Sequence, residues 1–174
     1  LFIAAMSATL DVEPLVRFLS PCAHLRSEGR TYPVEIRHFG SAANAREEEP
    51  VWDRAAAECE KVLRESATGD VLIFMPGAYE IRRTIDAISG RSYARGCDIL
   101  PLHGELPPEA QDAAVEPGER RKVVVATNVA ETSLTIDGVR YVIDSGLARI
   151  PAFDPNRGID TILVKKISRA NADQ

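Results

Sequence analysis

Residues 122–146 read KVVVATNVAETSLTIDGVRYVIDSG, and this stretch decides the fold. It opens with Val123 to Ala126, an apolar run short and β-branched enough to form a buried strand. A segment dense in hydroxyls and carboxylates follows: Thr127, Asn128, Glu131, Thr132, Ser133, Thr135 and Asp137. Gly138 punctuates it, and a second β-branched run, Val139 to Ile143, ends at Asp144-Ser145-Gly146. In an open α/β sheet, ligands bind just beyond the carboxyl ends of the strands. A hydroxyl-dense loop in that position suits phosphate oxygens, which accept hydrogen bonds from Ser, Thr and backbone N–H groups. The same composition also serves as a set of local side-chain caps. Composition alone leaves both readings open.

Working outward, Val71 to Met75 is a second buried strand, and Pro76-Gly77 turns it into a helix from Ala78 to about Ile88 with Ile81, Ile85 and Ile88 inward. Gly77 has no Cβ, so a ligand can approach its backbone closely. Upstream, Val51, Ala55, Cys59, Val62 and Leu63 recur at helical spacing up to about Ser66, and Gly69-Asp70 stops that helix. Cys97 to Leu102 is another strand, followed by His103-Gly104 and a helix announced by Pro107-Pro108-Glu109. Val34, Ile36 and Phe39 alternate as in a further strand over about 34–39. Leu1 to Met6 reads as a strand and not as a signal peptide, having no basic n-region. Asp11 can cap a short helix with Leu15, Phe18 and Leu19 on one face, ending near Ser20-Pro21. Residues 40–50 are small and charged and form a surface loop, and Asp154 to Gly158 is a hairpin turn between two β-rich runs. Strands alternating with helices predict an α/β fold, a mainly parallel sheet with helices on both faces, plus a C-terminal hairpin over about 147–166.

At 174 residues the chain has room for one well-buried α/β domain and not for two large ones. No apolar run reaches the roughly 18 residues of a membrane span. The net charge of −5 argues against a strongly basic, sequence-blind nucleic-acid binder, while leaving room for a few backbone contacts. Cys22, Cys59 and Cys97 form no CxxC pair and no zinc set with His24, His38 and His103. Buried or free thiols in a reducing cytoplasm are expected.

The order of residues in TNVAETSLTIDGV resembles motif V of DEAH-box (DEAH/RHA) superfamily-2 helicases, in their second RecA-like domain. Other segments match the same family in the same order: MSATLD its motif III, GRTYPVE the entry to the second domain, and VLIFMPG its motif IV. PLHGELPPEAQ resembles the loop that holds the RNA backbone, and ISRANADQ the approach to motif VI. The resemblance therefore covers nearly the whole chain. It implies that residues 1–20 are a tail of the first RecA-like domain and that residues 21–174 belong to the second, with Gln174 the first residue of motif VI.

By that resemblance, Gly77, His103, Gly104, Thr127 and Asn128 contact RNA, single-stranded or duplex, with DNA possible. Ser133, Thr135, Asp137, Val115 and Gln174 line the ATP site, Asp137 accepting from the ribose. Ser7, Ala8, Thr9, Glu131 and Thr132 couple the two. The partners implied are RNA and the first RecA-like domain, and the cofactors are ATP and Mg²⁺, whose ligands lie outside these residues. Many relatives carry a phenylalanine where Val115-Glu116-Pro117 stands, and an aliphatic residue packs more weakly on a base. The 174 residues contain no GxxxxGK[ST] loop and no DExH motif, so no catalytic residue is assigned among them. Two other readings stay open: a RecA-like binding or scaffolding module without catalysis, and an unrelated α/β enzyme for a phosphorylated small molecule.

Overall fold

The structure, a computed structural model, describes residues 12–25, 33–39, 49–127, 136–154 and 158–168. Two compact units are distinguished, one within residues 1–45 and the other within residues 46–173. In the first, helix α1 (Val12–Leu19) forms where the apolar spacing predicts it. Leu15 and Leu19 are half-buried, whereas Phe18 is 85% exposed and lies off the expected face. Residues 33–39 form no strand, contrary to expectation. Val34, Ile36 and Phe39 are exposed there. Alternation supplies a face to bury, but a strand also needs a neighbour for its backbone groups, and none pairs with this segment among the described residues.

The second unit contains helix α2 (Val51–Glu65), strand β1 (Asp70–Phe74), helix α3 (Ala78–Ile88) and strand β2 (Asp98–Leu102). Helix α4 (Pro108–Val115) and strands β3 (Lys122–Ala126) and β4 (Val139–Asp144) follow. The four strands pair in parallel in the order β2-β3-β1-β4. A sheet covered on both faces needs strands apolar on both sides, and β1 and β3 meet that requirement. Val71, Ile73, Val123 and Val125 bury against Ala55, Ala56 and Cys59 of α2 and Ile81 and Ile88 of α3. Leu72, Val124 and Ala126 turn to the opposite face, with Leu102, Ala114 of α4 and Ile136. Each fully buried Val, Leu or Ile contributes roughly 1.5–3 kcal/mol. Thr84, which the apolar spacing overlooks, is also buried on α3, its hydroxyl donating back to the Glu80 carbonyl at 2.8 Å.

The amino end of the sheet is tied by side chains. Lys122 N–H donates to Asp70 Oδ1 at 2.7 Å, Arg121 donates to the Gly69 and Ser66 carbonyls, and its guanidinium lies over the Tyr141 ring. At the other end, Gly146 N–H donates to Asp144 Oδ1 at 2.7 Å, turning the chain into strand β5 (Leu147–Asp154). Strand β6 (Ile159–Lys166) pairs with it antiparallel, from Leu147↔Lys166 to Asp154↔Ile159. Ala148 is buried at the root of this hairpin, while Phe153 and Ile162 near its far end are exposed.

Candidate functional site

The parallel register brings Leu102, Ala126, Phe74 and Asp144 to one level across the sheet. The ladder then runs one step further. Met75 N–H donates to the Ala126 carbonyl at 2.8 Å, Thr127 N–H to Leu102 at 3.1 Å, and Ser145 N–H to Phe74 at 3.2 Å. Each loop therefore leaves the sheet from a fixed backbone. Gly77, His103, Gly104 and Thr127, far apart in sequence, come together as three neighbouring loops along the carboxyl edge. Asn128 lies outside the described residues.

Each loop offers polar backbone or hydroxyl groups. Gly77 is extended (φ −170°, ψ 173°), so its backbone is unstrained. The Arg149 side chain from β5 lies close over this turn, its Nε and Cζ standing where a Cβ on residue 77 would come. Gly104 is exposed, and apart from its chain neighbours no described heavy atom stands within 4 Å of where a Cβ would be. His103 is half-buried; its carbonyl accepts from Leu106 N–H at 3.1 Å, and Gln111 Nε2 donates to the Leu106 carbonyl at 2.8 Å, fixing the loop to α4. Thr127 Oγ1 is buried and has no hydrogen-bond partner among the described residues. Leaving a buried hydroxyl unpaired costs about 1–3 kcal/mol.

Val115 and Asp137 stand at the other end of the sheet. Val115, the last residue of α4, packs half-buried on the cluster of Leu72, Ala114 and Val124, and Ile136 joins the same cluster. Asp137 follows Ile136 and is exposed. Gly138 then takes φ +90°, a conformation that side chains disfavour, and its carbonyl accepts from Asp70 N–H at 2.9 Å to begin β4. Thr127 follows the carboxyl end of β3 and Asp137 precedes the amino end of β4, so the two stand at opposite ends of the sheet, one strand length (~17 Å) apart. Ser133, Thr135, Gln174, Glu131, Thr132, Ser7, Ala8 and Thr9 lie outside the described residues.

A cavity of about 540 Å³ opens beside β2 at its amino end, lined by Ser89, Cys97, Asp98, Glu116 and Lys122 among others. It stands at the opposite end of the sheet from Gly77, His103 and Thr127. Lys122 is 2% exposed, and its ammonium donates to the carbonyls of Ala114 and Glu116 at the end of α4. That ammonium closes a helix terminus. Cys59 is buried and Cys22 exposed. Burial pushes the Cys59 thiol up to about 12, the neighbouring Cys97 adds to the rise, and Arg121 opposes it. Among the described residues no three His, Cys, Asp or Glu side chains converge as a metal site, and no helix is long and apolar enough to cross a membrane.

A parallel α/β sheet with phosphate-compatible loops at one edge and an appended hairpin is matched by known proteins. The helicase conserved C-terminal domain family matches residues 54–170. The chain belongs to that family. Over 97% of its length this helicase C-terminal domain is 40% identical to the ATP-dependent RNA helicase HrpB and 38% identical to the ATP-dependent RNA helicase HrpA, both of Escherichia coli K12. It is 38% identical to the pre-mRNA-splicing factor ATP-dependent RNA helicase prp22 of Schizosaccharomyces pombe. A crystal structure of the E. coli DExH-box NTPase HrpB superposes with a TM-score of 0.81 at 37% identity over 97% of this chain, so the fold is RecA-like. The chain spans a fifth or less of the length of these relatives. A crystal structure of the Escherichia coli DEAH/RHA helicase HrpB superposes with a TM-score of 0.82 at 37% identity, in agreement with the DEAH-box resemblance.

The contribution of Arg149 to this edge was not legible in the sequence. Its guanidinium lies against Gly77 and pairs with Glu80 of α3, contacts between residues far apart in the chain that no local pattern announces.

Proposed function

We propose that this helicase C-terminal domain is the second motor domain of an ATP-dependent RNA helicase. It contributes RNA-backbone contacts through the loops at Gly77, His103-Gly104 and Thr127, and one wall of the ATP site through Asp137 and Val115. The observation that carries this reading is the single row of loops beyond Leu102, Ala126 and Phe74, presenting neutral donors with no base-reading pattern. Neutral hydroxyls and amides hold a backbone without selecting sequence, as a translocating motor requires. Thr127 brings a hydroxyl to this edge whose oxygen has no hydrogen-bond partner among the described residues, the kind of group that binds a phosphate oxygen.

The nucleotide side is separate. Asp137 supplies an exposed carboxylate for ribose hydroxyls, and Val115 an aliphatic surface beside the same cluster. When bound, ATP with Mg²⁺ supplies the hydrolysable phosphoanhydride. The phosphate cradle and the metal ligands would come from the first RecA-like domain, the partner of this one. Because residues 127–137 join the two positions in sequence, RNA at Thr127 and nucleotide at Asp137 bias one segment, which gives a route for coupling. Asn128, Glu131, Thr132, Ser133, Thr135 and Ser7 to Thr9 complete these contacts in the proposed scheme, and Gln174 opens the arginine-rich motif. A reducing cytoplasm, compatible with the free thiols, is the proposed location.

Two measurements test the reading. The 174 residues by themselves are expected to show no ATP hydrolysis above background, measured as phosphate release with and without RNA; robust turnover in a clean preparation would overturn the division of labour. In the full-length protein, Thr127→Val should weaken single-stranded RNA about three- to tenfold, since it removes one hydroxyl contact of about 1 kcal/mol. Unchanged RNA affinity by fluorescence anisotropy would remove Thr127 from the groove.

A further inference from the structure

Trp52 in the first turn of α2 and Tyr79 in the first turn of α3 meet edge to face, with ring centroids 5.8 Å apart and planes at 89°. The contact follows from the fold. α2 and α3 pack on the same face of the sheet, one leading into β1 and the other leaving it, so both helices begin at the carboxyl end of the strands. Tyr79 therefore stands two residues beyond Gly77, beside the row of loops assigned to RNA. One turn further along α3, the Arg83 guanidinium lies over the Trp52 ring, 5.3 Å from its centroid.

The two rings differ in exposure. Trp52 is half-buried, whereas Tyr79 is 57% exposed. In a perpendicular pair Trp52 covers at most one face of the Tyr79 ring, and a face is left to solvent. A ring held in advance loses little freedom when a second flat group packs on it. Charge then separates two uses of this surface. Arg82 and Arg83 follow Tyr79 by one turn, but Asp53 and Asp86 are exposed on the same two helices, and Glu80 is paired with Arg149. So mixed a set of charges attracts a polyanion weakly, and what the surface offers is the flat ring itself. Every nucleobase has a π-face, and stacking on it tolerates any sequence, in keeping with neighbouring loops that read no bases.

We propose that Tyr79 is a base-stacking residue: one unpaired RNA base, splayed from the backbone beside the Gly77 turn, packs on its open face while Trp52 braces the ring. The inference rests on the RNA-backbone reading above and adds a base contact to it. It carries a preference with it. A base within a duplex has both faces covered by its neighbours, so only a single strand can use the ring.

The test uses the full-length protein and a labelled oligouridylate, together with the same oligomer carrying one abasic residue at each position in turn. Affinity is followed by anisotropy over a series of salt concentrations. Tyr79→Ala should weaken the unmodified strand about five- to hundredfold, the range for one base stacked on an aromatic ring. The slope of log affinity against log salt should stay the same, because no phosphate contact is lost. Blunt-ended duplex binding should not change. In the parent protein one abasic position should carry a loss of similar size, and in Tyr79→Ala that loss should vanish. Tyr79→Phe should match the parent protein, since the ring is kept. If Tyr79→Ala weakens binding but every abasic loss persists, the ring only shapes the turn and the proposal falls. A slope lowered by about 0.7 would mean a lost phosphate contact and would also overturn it. If Tyr79→Ala has no effect while Thr127→Val weakens binding, this proposal fails, the backbone reading stands and the aromatic surface is left to a protein partner. If neither variant changes affinity, the backbone reading fails with it.

Discussion

Lys122→Ala is expected to destabilise the unit within residues 46–173 by about 2–4 kcal/mol, from orphaned buried acceptors at about 1–3 kcal/mol and the packing lost with the side chain. The ammonium lies out of solvent and donates to the carbonyls of Ala114 and Glu116. Those carbonyls belong to the last turn of α4, where backbone acceptors have no partner within the helix. Alanine removes the donor, orphans both acceptors and opens space under α4. Lys122→Met separates these effects, because it retains most of the volume and loses only the donor, so a loss of about 1–3 kcal/mol is expected. Urea denaturation followed by far-ultraviolet circular dichroism measures both. A change below about 1 kcal/mol for the alanine variant would mean that the α4 terminus finds other donors.

Stability above pH 9 should depend on Cys59. Burial holds its thiol protonated up to about 12 in the folded chain, against an ordinary thiol value of 9.0. The folded state therefore binds the proton more tightly than the unfolded state. The associated stabilisation is complete below pH 9 and is lost as pH rises through 12. At about 1.4 kcal/mol per pH unit, the full window corresponds to about 4 kcal/mol, and half of it is lost by roughly pH 10.5. Cys59→Ala should flatten this dependence while costing little at pH 8, since the side chain that replaces it is small and apolar. Denaturation of both proteins at pH 8 and pH 10.5 decides the matter; equal losses in the two would assign the alkaline sensitivity to other groups. Cys97 is raised by burial as well, so the variant should flatten the slope without abolishing it.

Much of the fold was legible in the sequence because it rests on local physics. β-branched runs at Val71 to Ile73 and Val123 to Val125 can be buried on both faces only in a covered parallel sheet, and the structure places them at its centre. Apolar spacing of 3.6 residues located α2 and α3, Pro107-Pro108 announced α4, and the β-rich runs on either side of residues 154–158 pair as the hairpin strands β5 and β6. The segment 33–39 shows where that reasoning stops. Its alternation is as regular as that of a true strand, yet pairing depends on a neighbour that no local pattern can supply.

The candidate site divides in the same way. Residue order alone identified Gly77, His103, Gly104, Thr127 and Asp137 as belonging to loops, because each follows or precedes a β-branched run bounded by turn residues. The sequence by itself thus determined the α/β class, the family and the helices and strands of the unit within residues 46–173, all of which follow from short-range periodicity and from residue order. Tertiary structure decided what stands beside what. Parallel register aligned three distant loops at one edge and set Thr127 and Asp137 at opposite ends of the sheet, and the course of β5 after β4 brought the Arg149 side chain against Gly77. These relations depend on strand order and chain reversal, which join residues through space and leave no periodic trace along the chain.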